Sequence, residues 1–124
     1  MELSAYFQSI VDQDLCAVVI CNLEHEVLYM NPAAKARYAK QGGASLIGSN
    51  LLNCHNARSQ EQIHKVLAWF QESTDHNRVY TFHNEKENKD VYMIALRDEA
   101  GTLIGYYEKH EYRDTEKGEL YHLS

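Results

Sequence analysis

Apolar positions along this chain follow two different periods, and the change between them divides the sequence. Leu3, Phe7 and Ile10 recur at helical spacing, which predicts a short amphipathic helix over residues 3–11. Asp12-Gln13-Asp14 ends it. Residues 17–21 form a continuous apolar run, polar positions 22–25 follow, and Val27-Leu28-Tyr29-Met30 forms a second run. Two short apolar runs around a polar turn predict a hairpin, and apolar residues at consecutive positions imply cover on both faces of its sheet. Asn31-Pro32 then reads as a helix start, because Asn is a favoured N-cap and Pro suits the first helical position. Residues 33–40 are good helix formers, with Gly42-Gly43 as a left-handed stop. Between 44 and 56 the apolar residues Leu46, Ile47, Leu51 and Leu52 are interrupted by Gly48, Asn50 and Asn53, which predicts short helical turns over the sheet. Ser59 and Gln62 have capping-box spacing, and Ile63, Val66, Leu67 and Phe70 form one stripe of a helix ending near Ser73.

From residue 77 the period becomes two. Residues 79–82, 91–96 and 103–107 predict three strands, joined by turns at 85–88 and 98–101. In the last strand, Thr102, Ile104, Tyr106, Glu108, His110 and Tyr112 fall on one face, and Leu103, Gly105, Tyr107, Lys109 and Glu111 on the other. The predicted architecture is α+β. It is a five-stranded antiparallel sheet with helices inserted between its second and third strands, preceded by an N-terminal helix.

Composition narrows the class. A chain of 124 residues has room for one domain, spanning 1–124, with a flanking helix over 1–13 and a polar tail over 113–124. A net charge of −6, with both signs interspersed, argues against a nucleic-acid footprint. No apolar run approaches membrane-spanning length, and residues 1–7 lack the character of a signal peptide, so the expected location is cytoplasmic. Cys16, Cys21 and Cys54 form no CxxC pair, so neither a disulfide framework nor a structural zinc site is expected. Cys16 and Cys21 read as small buried hydrophobes. No phosphate loop, nucleophile elbow or HExxH motif is present, so no catalytic residue is assigned and the chain is not expected to be an enzyme.

The order of elements resembles the PAS family over nearly the whole chain. Val27-Leu28-Tyr29-Met30-Asn31-Pro32-Ala33-Ala34 resembles its second strand and Asn-Pro-Ala helix start. Leu46-Ile47-Gly48 resembles the apolar-Gly step that follows, and residues 97–101 with Leu103-Ile104-Gly105 resemble the closing hairpin. Asn53-Cys54-His55 is similar to a bacterial subgroup with a Cys-His pair before the long helix. The resemblance implies a signal-sensing domain with a pocket between sheet and helices. It also implies homodimerisation, and output in signal transduction or transcription regulation through an effector domain or partner protein. A ligand-free protein–protein interaction module is the alternative.

Candidate chemistry follows from the same residues. Tyr29, Tyr38, Leu67, Met93 and Tyr106 are possible pocket walls, or core filling in a domain this small. Flavin photochemistry fits badly: Gly48-Ser49-Asn50 begins the family's flavin motif, but Leu51 stands where its Cys belongs. Haem remains a lesser alternative, with His64 at the edge of the apolar stripe as axial ligand. Cys54 and His55 could form a redox or metal-binding pair, against the simpler reading of a packed thiol and a turn cap; no metal is assigned. Leu3 and Phe7 on the first helix and Tyr107 on the last strand are candidate dimer or partner contacts.

Overall fold

The computed structural model describes residues 1–123. Helix α1 (Ser4–Asp12) leads into strands β1 (Val19–Asn22) and β2 (Val27–Met30), then helix α2 (Pro32–Arg37). Three 3-10 turns, Ala39–Gln41, Gly43–Leu46 and Leu51–Cys54, connect to helix α3 (Ala57–Glu72). Strands β3 (Arg78–Asn84), β4 (Lys89–Arg97) and β5 (Leu103–Tyr112) complete the chain. The five strands form one sheet in the order β2-β1-β5-β4-β3, antiparallel throughout.

The core lies between the inner sheet face and the helices. Met30, Ala34, Ile63, Phe70, Met93, Leu103 and Tyr106 are buried there, with Val66 and Leu67 packed against them. The stripe on α3 therefore faces the sheet, as its spacing predicts. The helix itself begins earlier than Ser59. Asn56 is the N-cap, its side-chain oxygen accepting from the Ser59 amide at 2.8 Å, and Gln60 donates back to the Leu52 and His55 carbonyls. An Asn cap thus replaces the expected Ser59–Gln62 box. At the other end Arg97 donates to the Phe70, Ser73 and His76 carbonyls at 2.7, 3.0 and 3.1 Å. It satisfies acceptors that the helix terminus leaves open and ties α3 to β4.

Asn31 ties the opposite end. Its side-chain oxygen accepts from Val18 and Ala34 amides, both at 2.9 Å, so it caps α2 and holds the start of β1. Its NH₂ group donates to the Val11, Asp14 and Cys16 carbonyls, securing the link from α1. The residue has no solvent exposure.

The last strand departs from simple alternation. Leu96 opposes Gly105 and Arg97 opposes Leu103, so a bulge at Ile104 shifts the faces. Leu103 consequently turns inward with Tyr106 while Ile104 turns outward, so Ile104 and Tyr106 do not share the face that simple alternation gives them. Beyond the bulge Gly105 passes so close to β1 that a Cβ there would lie 2.2 Å from the Cys21 carbonyl oxygen. Cys21 is buried as expected, whereas Cys16 is half-buried. Residues 113–123 form no helix or strand, and Ser124 of the expected 113–124 tail lies outside the described residues.

Candidate functional site

Every second residue of β4 and β5 projects toward the helices. From β5 these are Tyr106, Glu108, His110 and Tyr112; opposite them on β4 stand Ala95, Met93, Val91 and Lys89. The 3-10 turns and α3 do not close fully over this surface. A cavity of about 370 Å³ remains, walled by apolar side chains such as Val27, Met30, Ile63 and Met93. It continues into a wider, more open lobe of about 660 Å³ between α3 and strands β3 and β4. The two share Tyr38, His55, Ile63, Met93, Glu108 and His110.

Three polar groups sit along this space. At one end Tyr106 and the buried His25 share a hydrogen bond of 2.8 Å, and the His64 ring lies 5.2 Å from that of His25. Burial and the neighbouring His64 push the His25 imidazole below its usual range. Burial likewise pushes the Tyr106 hydroxyl up, and the Cys21 thiol beside it to about 11. In the middle, His110 Nε2 lies 3.1 Å from Glu108 Oε1. Tyr38 stands nearby, its hydroxyl pushed up by burial and by the Glu108 carboxylate. At the far end Arg37 grips Glu87 with two hydrogen bonds of 3.0 Å, beside the buried Lys89. These contacts hold the Glu87 carboxyl down at about 2, with Arg37 the largest cause.

Of the residues singled out from the sequence, Tyr38, Cys54, His55, Met93 and Tyr106 line the inner cavity. Tyr29 does not. Strand alternation puts it opposite Ile20 on the outer face, where its hydroxyl donates to Asp12. Leu67 packs against the core without lining the cavity, and His64 is exposed. A haem held by His64 does not fit, since that ring sits against His25 rather than in the cavity wall. Cys54 is exposed rather than packed, while His55 caps a turn, its Nδ1–H donating to the Leu51 carbonyl at 3.0 Å. Among the described residues, no group of three or more His, Cys, Asp or Glu side chains could hold a metal. The sequence pattern does not single out His25, Glu108, His110 or Lys89 as pocket residues. The alternation of β5 already placed Glu108 and His110 on the face of Tyr106, and that was the available signal.

The opposite face of the sheet is solvent-facing and aromatic. Tyr107 pairs with Ile20 and Ile94, and Tyr80 lies across from Tyr92. Helix α1 buries none of its residues; Tyr6, Phe7 and Ile10 on it and Leu3 at its N-cap are exposed.

Comparison of the whole fold with solved structures decides the architecture. The PAS domain of a Colwellia psychrerythraea protein superposes with a TM-score of 0.65 at 12% identity, covering 90% of this chain and 98% of that one. The chain has the PAS fold. The PAS domain of Bordetella pertussis BvgS gives 0.61 at 16% identity, over 91% of this chain and 87% of that one. A sensory box sensor histidine kinase from Vibrio cholerae gives 0.58 at 17%, covering 90% and 91%. No protein-family model matches the sequence, and no curated protein does. The similarity is thus one of PAS architecture. No helix among the described residues is long and apolar enough to cross a membrane.

Proposed function

We propose that this is a non-catalytic sensing domain of bacterial signal transduction, binding a small molecule in the cavity between α3 and the sheet. One observation carries this reading. A chain of 124 residues needs its apolar side chains for a core, yet leaves about 370 Å³ open among them, with Glu108, His110 and His55 at its wall. Close packing is the rule in protein interiors, so a void of this size with polar groups at its wall supports a ligand site. The PAS fold of a sensory box kinase is consistent with the same role. The domain works in the cytoplasm and neither nucleic acid nor a membrane is its partner. Its output reaches transcription regulation or another response through an effector domain or partner protein.

The exposed apolar face of α1, with Leu3 and Phe7, supports pairing with a second copy, and Tyr107 on the outer sheet face extends that surface. Tyr107→Glu is expected to shift the protein toward monomer in sedimentation analysis; an unchanged oligomer would remove the outer strand from the interface.

Native mass spectrometry of freshly purified protein tests the sensing role. The expected result is a non-covalent adduct lost on denaturation, or stabilisation by a member of a small-molecule panel. A bare mass with no stabilisation by any compound would favour the ligand-free interaction module.

A further inference from the structure

Lys89 is the most anomalous side chain of the cavity region. It continues the inward series Lys89, Val91 and Met93 on β4, at a position where an apolar residue would pack without penalty. Its side chain is 2% exposed, and among the described residues Nζ has no hydrogen-bond acceptor. Its near contact, Glu87 Oε2 at 3.3 Å, falls outside hydrogen-bond geometry. That carboxylate is already engaged by both Arg37 nitrogens and by Asn84 Nδ2 at 3.0 Å. The Tyr112 ring lies 5.5 Å from the ammonium and offers a face but no lone pair of comparable strength. A buried lysine that makes no hydrogen bond and shares its one nearby carboxylate with Arg37 and Asn84 is costly, and such groups persist where something compensates them.

We propose that Lys89 anchors the carboxylate of a small organic acid whose apolar body lies in the outer lobe of the cavity. This rests on the sensing role proposed above and names the chemical class of the ligand. Lys89 is a wall residue of that lobe together with Val66, Val79, Val91 and Met93, so charge and apolar surface adjoin. Two cations, Arg37 and Lys89, share one carboxylate, Glu87, at this end of the lobe, and Glu108 stands further along the wall. A monoanion would set its charge at the Lys89 end, whereas the second charge of a phosphate dianion would meet Glu108. Nζ lies just beneath the wall, covered from water. Contact with a ligand in the lobe requires a turn about the last torsions of its flexible four-carbon stem. A carboxylate arriving there would accept a charge-assisted hydrogen bond from the ammonium.

Isothermal titration of phenylacetate and its neutral analogue phenylacetamide into wild type, Lys89→Met and Lys89→Gln tests this. Wild type is expected to bind the acid about tenfold or more tightly than the amide, and both variants to lose that preference. Circular dichroism of the unliganded variants separates lost binding from lost fold, and Lys89→Met keeps the packing of the stem. Equal binding of acid and amide by all three proteins would overturn the anchor and leave the cavity as a ligand site. Binding of neither compound by wild type would count against both.

Discussion

Asn31 and Lys89 are both fully buried polar side chains, and they sit at opposite extremes of satisfaction. Asn31 uses its oxygen twice and its NH₂ group on three carbonyls. Lys89 makes no hydrogen bond among the described residues, and its near contact is Glu87 Oε2 at 3.3 Å. The first is a structural joint: it converges α1, β1 and α2 on one point, and every atom is accounted for. The second lies beside an opening in the packing. A fold that satisfies one buried polar group so completely leaves the other open at the place where a ligand would enter, and that contrast separates frame from site.

Removing the joint should have the largest effect. Asn31→Ala is expected to destabilise the protein by about 3–4 kcal/mol, since several buried amides and carbonyls lose their partner at once. Chemical denaturation measures it; a loss below about 1 kcal/mol would mean that the knot is dispensable. Arg97→Ala, which frees the carbonyls at the end of α3, is expected to cost about 2–3 kcal/mol by the same measurement. Lys89→Met should move in the other direction. Glu87 keeps Arg37, so no uncompensated charge remains, and the unliganded protein should gain about 1 kcal/mol. Destabilisation would show that the ammonium already has its partner in the free protein.

The smallest effect is electrostatic. Glu87 and Asp90 both have carboxyls held at about 2 in the folded chain, by Arg37 and by Arg113 respectively. Their ordinary values are 4.5 and 3.8, so their contribution is complete above about pH 4.5 and is lost as pH falls toward 2. Tm should therefore begin to fall below about pH 6.5, where His25 resists protonation in the folded chain, and fall further below about 5 as these carboxyls lose their partners. Glu87→Gln should flatten part of the lower fall. An unchanged profile in the variant would remove Glu87 from the acid response.

Local signals in the sequence carried most of the frame. The caps, the α3 stripe and the two-residue period of the last strands each depend on neighbours a few positions apart. Asn31 was legible as a cap because its bond to Ala34 spans one helical turn; its reach back to Val11 and Asp14 was not. The bulge at Ile104 was equally hidden, since a strand's faces are fixed by its partner as much as by its own pattern. Tyr29 was placed on the wrong face for the same reason. The site was less legible than the frame. Lys89 adjoins the turn at 85–88 and reads as a solvated strand end until pairing with Tyr112 brings it inside. His25 follows a hairpin turn with φ +67°, and only the tertiary fold joins it to Tyr106.

The central claim is that the space between α3 and the sheet receives a ligand. Methyl-detected NMR during a phenylacetate titration tests it most directly. Saturable shifts are predicted at Met93, Val91 and Ile63 on the cavity wall, with Ile20 and Leu28 unchanged. Shifts confined to Ile20 and Leu28, or none at any of these methyls, would contradict the account.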